Sequence, residues 1–212
     1  MKICAISDTH ELEHTLNLPK ADILIHCGDW TYTGSEEAYL NAFNWLCEQA
    51  KQFKWIIFIM GNHDFNHKYF IDLIKNSNIS NIHYLENSGV KIDGIQFFGV
   101  PYVPNLPRWA FPEYDGCYDQ IPDDTQILIS HCPMYGVLDN NSRHYGSSKL
   151  RNKITYDLPN LTHLFCGHIH ENYGQEDIEI GAGIVYKKVK VINASTCNLQ
   201  YKAVNQPIVI EI

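Results

Sequence analysis

The sequence predicts an α/β fold in which two mixed β-sheets pack face to face with helices on the outside. Three observations predict it. Short apolar runs recur along the chain with helical or loop segments between them. In the first half the runs alternate with amphipathic segments, as parallel strands joined by helical crossovers do. In the second half a hairpin signal and closely spaced runs point to antiparallel pairing. The 212 residues suffice for a substantial core in one domain spanning 1–212, and no repeat or linker argues for a second.

The runs lie at 3–6, 23–25, 55–60, 97–100, 127–129, 164–166, 189–192 and 208–212. Between the second and third, Ser35 is a good N-cap and Glu36 and Glu37 fill the first turn. Tyr39, Phe43, Leu46 and Ala50 then share one face at helical spacing. A shorter helix comes after the third run at 69–75. Residues 90–98 hold an Asp-Gly pair between two strand-like pieces, and 183–192 and 207–212 read as antiparallel strands. A loop at 101–118 carries four prolines, five aromatics and one arginine, a composition suited to a binding loop or to a stiff cover over the core.

Composition removes several classes. A net charge of −8 disfavours long nucleic acid as a partner, so an anionic ligand needs a local positive centre. No apolar run approaches the ~18–20 residues that span a bilayer. The opening MKICAISDTH reads as a strand and lacks a signal-peptide core, which predicts a cytoplasmic protein. Seven cysteines without a C-x-x-C pair read as reduced thiols.

The informative pattern lies at the end of each run. Residues 3–6 lead into S-D-T-H, 23–25 into H-C-G-D, 55–60 into G-N-H-D, 127–129 into S-H and 164–166 into G-H-I-H. Ends of strands in α/β sheets converge on the functional crevice. Asp8 or Asp29 alone could cap a turn, and a lone H-x-H is usually structural. Five strands emptying Asp, His and Asn into one crevice predict a metal site.

These motifs, in this order, resemble the five motifs of the calcineurin-like metallophosphoesterases: D-x-H (Asp8, His10), G-D (Gly28, Asp29), G-N-H-D (Gly61 to Asp64), S-H (His131) and G-H-x-H (Gly167 to His170). The intervening I-S-D-T-H, L-I-H-C-G-D, W-A-F, G-H-I-H-E-N-Y-G and I-N-A-S-T-C-N are most similar to the branch of metallophosphoesterase-domain-containing proteins. S-H-C-P-M-Y-G at 130–136 departs from that branch, which more usually has Gly-Pro-Pro after the histidine, and the departure bears on substrate preference. The resemblance implies a four-layer αββα sandwich and two divalent ions. Asp8, His10, Asp29 and His170 would hold one ion; Asn62, His131, His168 and the shared Asp29 the other. These donors suit Mn²⁺, the expected ion, or Fe, Zn²⁺, Co²⁺ or Ni²⁺. Two such ions outweigh two carboxylates and a bridging hydroxide, leaving a centre of about +1 for a phosphate.

The family's leaving-group histidine matches His63, and Asp64 would hold its ring tautomer. Arg108 and Trp109 are candidate substrate contacts, and His26 a candidate donor behind the ligands. His14, His67, His83, His144 and His163 have no place in the pattern. The expected function is a binuclear phosphodiesterase that attacks a small phosphodiester, such as a cyclic nucleotide, with the bridging hydroxide. A phosphomonoesterase or protein phosphatase, and a catalytically weak nucleotide-binding regulatory protein, are the alternatives. A Ser–His–Asp hydrolase and a P-loop enzyme lack their motifs.

Overall fold

The computed structural model describes residues 1–183 and 185–212. Its strands are β1 Lys2–Ile6, β2 Ile23–His26, β3 Trp55–Phe58, β4 Ile82–Tyr84, β5 Ser88–Ile92, β6 Ile95–Val100, β7 Ile127–Ser130, β8 Asn140–Asn141, β9 Arg143–His144, β10 His163–Cys166, β11 Gly174–Ala182, β12 Val185–Asn193 and β13 Ile208–Glu211. The helices are α1 Glu36–Gln49, α2 Lys68–Lys75 and α3 Ser148–Asp157. One sheet has the order β13-β1-β2-β3-β4, the other β11-β12-β10-β7-β6-β5, and β8 and β9 form a separate hairpin.

Strands β1, β2, β3, β7 and β10 are largely buried on both faces, and their alternation assigns each residue to a layer. Ile3 and Ala5 of β1, Ile25 of β2 and Ile57 of β3 pack with Phe97, Ile127, Ile129, Phe165 and Ile192 of the other sheet. The intervening Cys4, Ile6, Leu24, Ile56 and Phe58 face Tyr39, Ala42 and Leu46 of α1 and Phe70 and Ile74 of α2. On the far side, Leu128, Leu164 and Val191 pack against Leu150 and Ile154 of α3. The result is the expected αββα sandwich.

Helix α1 begins as expected, with the Ser35 side chain accepting from Ala38 N at 3.1 Å. The Asp93-Gly94 pair closes the β5–β6 hairpin with both residues at positive φ (49° and 88°), the backbone that this dipeptide favours. Strand β13 runs antiparallel to β1. Strand β12 pairs antiparallel with β11 but parallel with β10. Of the strand expected at 183–192, Gly183 is a turn residue and position 184 lies outside the described residues.

Five elements are additional to those expected: β4, β8, β9, β11 and α3. The exposed β11 segment is largely polar, and α3 buries only Leu150 and Ile154, so neither presents a long apolar pattern. The 101–118 loop both covers the core and reaches the crevice. Tyr102 and Tyr118 sit in the core, while Trp109 reaches the mouth of the crevice. The seven cysteines are free thiols and six are buried. No helix among the described residues is long and apolar enough to cross a membrane.

In the first sheet, β1, β2 and β3 run parallel; in the second, β6, β7, β10 and β12 do. Their C-terminal ends bring both sheets' loops to one crevice. Phe165 is fully buried between the sheets. Phe165→Ala should cost about 3–5 kcal/mol in a denaturant titration, the usual penalty for emptying so large a site.

Candidate metal centre

Each candidate ligand sits at or just beyond the end of a parallel strand. Four of the seven occupy the left-handed region: Asp8 (φ 52°), His10 (43°), Asp29 (57°) and His168 (66°). Such backbone costs of order 1–3 kcal/mol per residue and persists only where the surroundings hold it. Hydrogen bonds do so here. Asp8 N donates to Gly28 O at 2.9 Å, and His10 N to Asp29 O at 3.1 Å.

Two glycines allow the loops to meet. A Cβ on Gly61 would stand 2.3 Å from Asp29 Oδ1 and 2.6 Å from His131 Cε1. A Cβ on Gly167 would stand 2.0 Å from Ser7 Oγ and 2.2 Å from Asp8 Oδ2. The glycine ahead of each of these two ligand motifs is therefore a requirement of space.

The side chains form two groups. Asp8, His10 and His170 offer ligand atoms within 4.8 Å of one another, and so do Asp29, His131 and His168. Asp29 faces both groups. Its Oδ2 is 3.8 Å from His10 Nε2, and its Oδ1 is 3.4 Å from His131 Nε2. Asn62 Oδ1 lies 3.0 Å from the same His131 nitrogen. All seven residues thus come together, with Asp29 beside His10 of one group and Asn62 beside His131 of the other.

Three of the imidazoles share one orientation. Nδ1 of His10 faces Thr31 O at 3.1 Å, that of His131 faces Cys27 O at 2.8 Å, and that of His170 faces Asn198 O at 3.1 Å. A carbonyl only accepts, so each Nδ1 carries a proton, and Nε2 is the nitrogen that can give a lone pair to a cation once its own proton has left. Nε2 of His10 is fully buried and makes no hydrogen bond. Lone pairs of nitrogen, amide oxygen and carboxylate converge here, and a cation between them is what such a set accommodates. The residues fit divalent metals.

Electrostatics point the same way. Burial alone would raise the pKa of Asp8, but the His170 hydrogen bond and the charges of His170, His131 and His10 hold it well below the carboxylate range. Asp29 is likewise lowered against its burial, chiefly by His131. Burial would depress His131 and His170, yet Asp29 and Asp8 respectively carry them up to about 9. His168, dominated by burial and the charge of His131, falls to about 3. Protons on the imidazoles supply the positive charge that this anionic pocket demands, and cations can take their place.

Behind the ligands stands a second layer. Ser195 Oγ is 2.8 Å from Asp8 Oδ2 and 2.7 Å from Asn193 Oδ1, so one hydroxyl links both. His168 N donates to both Asp8 oxygens at 3.0 Å. His26 stacks on Trp30 with centroids 3.6 Å apart, accepts from Gly28 N through Nδ1, and meets Thr9 Oγ1 at 3.0 Å through Nε2. Asn193 and Ser195 come at the end of the apolar run of β12. The rule that exposed the other five strand ends applies to this sixth one.

Two expectations are corrected. Asp64 does not hold the His63 ring. Its carboxylate is fully buried and accepts from Gly61 N (2.8 Å), Trp30 N (3.0 Å) and Thr31 N (3.1 Å). It clamps two ligand loops together, because a buried carboxylate must find donors and backbone N–H groups surround it. His63 is oriented instead by Tyr32, whose carbonyl accepts from Nδ1 at 2.8 Å. Arg108 is exposed and does not line the crevice, whereas Trp109 does, with its ring 4.4 Å from that of His63.

The crevice over the centre encloses about 250 Å³ and includes Asp29, Asn62, His63, Trp109, His170 and Tyr201. Through His168, Leu106, Glu171 and Leu199 it joins a larger groove of about 670 Å³. Tyr201 stands 4.8 Å from His10, edge on. No motif pointed to Tyr201, since a lone tyrosine in a loop has no spacing to reveal it.

A metal-binding phosphoesterase fold with its ligand set drawn into one crevice is the class these features define. The calcineurin-like phosphoesterase family model matches residues 1–172, and the chain belongs to that family. Relatives match over the whole chain. UPF0046 protein K07C11.7 of Caenorhabditis elegans is 32% identical, with 75% of its length covered. Metallophosphoesterase domain-containing protein 1 of Homo sapiens is 30% identical, with 71% covered. The crystal structure of TT1561 of Thermus thermophilus shares the fold with a TM-score of 0.64 at 15% identity, covering 91% of this chain and 88% of that one. The family model stops short of Asn193, Ser195, Asn198 and Tyr201, all of which border the centre.

Two variants separate the roles. Gly61→Ala should lower metal content by pushing Asn62 and Asp29 apart, as elemental analysis of the purified protein would show. Asp64→Ala should cost about 3–5 kcal/mol in unfolding free energy, because it strands several buried N–H groups and leaves a cavity. A carboxylate that merely oriented His63 would cost far less.

Proposed function

We propose that this chain is a binuclear metal-dependent phosphodiesterase acting on a small phosphodiester, within one domain spanning residues 1–212. The observation that carries this reading is Asp29, a single buried carboxylate whose two oxygens face two separate ligand groups. Asp8, His10, His170 and Asp29 would hold one divalent ion, and Asn62, His131, His168 and Asp29 the other, with Mn²⁺ the ion of choice. Bound there, such ions would acidify water and neutralise charge on a phosphoryl group.

The chain's own residues supply the rest. Asn62 gives an oxygen without adding negative charge, so the centre keeps its pull on an anion. His63 is half-buried beside Asp29 and Asn62, and its backbone N–H donates to Asp29 Oδ1 at 2.8 Å. The Tyr32 carbonyl fixes Nδ1, which leaves Nε2 to hand a proton to the departing alkoxide when the ring is protonated. Trp109 and Tyr201 wall the site with aromatic surface and shield the reacting groups from bulk water. The groove continuing past His168 supports a diester over a monoester, since the second ester arm has space to occupy.

Purified protein supplied with Mn²⁺ should hydrolyse bis-p-nitrophenyl phosphate faster than p-nitrophenyl phosphate and lose activity to a chelator. A 2′,3′- and 3′,5′-cyclic nucleotide panel would then narrow the substrate. His63→Ala should keep both metals and lose about 10²–10⁴-fold in kcat, whereas Asn62→Ala should lower occupancy of one site. An untouched diester sinks the reading, and a metal lost in His63→Ala sinks the role of His63.

A further inference from the structure

The larger groove has chemistry of its own. Its floor is shared with the metal centre through His168, and one wall is the β8–β9 hairpin with Arg143, His144 and Tyr145. Arg143 is the only lysine or arginine among the described residues lining either cavity. It is exposed, with its guanidinium carbon 4.8 Å from the centre of the Tyr145 ring, which supports the flat group from below.

The hairpin is built rather than loose. Asp139, 1% exposed, accepts from Gly136 N at 2.9 Å and Gly146 N at 3.0 Å through Oδ2. Its Oδ1 accepts from His144 Nδ1 at 2.7 Å, which leaves His144 Nε2 for the groove. A Cβ on Gly146 would come within 2.8 Å of the same carboxylate and 2.6 Å of Met134 O, so the turn closes tightly on it. Asn172 then ties the hairpin to the centre. Its side-chain amide donates to Asn140 O at 2.9 Å and accepts from Asn140 N, two residues beyond His170. A buried carboxylate and an amide clamp therefore fix Arg143 and His144 relative to the ligand His170.

We propose that Arg143 and His144 form a second anion subsite, which takes a phosphate on the arm of the substrate remote from the metal centre, with Asp139 as the positioning residue. The proposal rests on the phosphodiester reading of the centre and deepens it: the preferred substrate carries a further phosphate. Guanidinium recognises phosphate through paired N–H donors, and Nε2 of His144 adds a third when the ring carries a proton on both nitrogens, one of them already given to Asp139. Glu171 faces the same crevice, so selectivity requires that Arg143 outweigh it.

The test compares binding of adenosine 3′,5′-bisphosphate and adenosine 5′-monophosphate to Mn²⁺-loaded protein by calorimetry, with ligand integrity checked afterwards. Wild-type protein should bind the bisphosphate at least about tenfold more tightly, the gain that one charge-assisted phosphate contact provides. Arg143→Ala should bring that ratio below about threefold. Asp139→Asn, checked for folding by thermal melt, should lower it too, and His144→Ala should do so whether or not Asp139→Asn folds. A wild-type ratio of one or less, or a ratio that survives Arg143→Ala, overturns the proposal. Binding needs no turnover, so failure to hydrolyse bis-p-nitrophenyl phosphate would count against the reaction and leave this ratio to be read.

Discussion

The crevice depends on one costly arrangement: two buried carboxylates, an amide oxygen and four imidazoles brought to a common space. Coulomb repulsion among lone pairs at these distances, in a poorly screened interior, favours dispersal of the loops. Asp29 is the centre of the problem because it faces both ligand groups at once. Without compensating positive charge the arrangement has no reason to persist. In the metal-free chain, protons on His131 and His170 compensate it; divalent ions would do so more completely.

Backbone does most of the work of keeping the ligands in place. Left-handed conformations at Asp8, His10, Asp29 and His168 turn successive strand ends inward, and Gly61 and Gly167 let the loops touch. Main-chain carbonyls then fix three ligand rings, and a fourth fixes His63, each through Nδ1. The same device recurs in variant form away from the ligands. Buried carboxylates replace side-chain partners with N–H groups: Asp64 clamps the Gly61 and Trp30 loops, and Asp139 clamps the hairpin. The chemistry is thus held by a layer whose own members need touch neither metal nor substrate.

The sequence revealed the parts governed by local pattern. Apolar runs ending in Asp, His and Asn exposed the strand ends, and parallel topology brings those ends together, so the residues that meet in the crevice were legible. The role of Asp64 was not, because adjacency along the chain says little about which way a side chain turns at a bend. It turns back to the Gly61 N–H and away from the ring next door. Arg108 failed for a similar reason. It sits beside Trp109 in the chain but is exposed to solvent, while the larger groove's arginine arrives from residue 143 on a hairpin of two-residue strands that leave no periodicity to read. His144 has no motif to mark it, since the turn that brings it to Asp139, five residues earlier, follows no periodic pattern.

A chain of net charge −8 that handles an anion must solve attraction and selectivity separately. Attraction is a local matter: ions at the centre would reverse the sign of a pocket that the carboxylates alone leave negative, and the effect fades within about a Debye length, roughly 8 Å in physiological salt. Selectivity calls for fixed groups farther out, where the centre's field no longer decides. The apolar rim of Leu106, Trp109 and Leu199 and the hairpin beyond His168 stand outside the ligand set and can supply them. His131 leads directly into the Met134 to Gly146 segment that carries this hairpin. The proposed ligand set would thus serve attraction, and the proposed second subsite, held apart from it by Asp139 and Asn172, would serve selectivity.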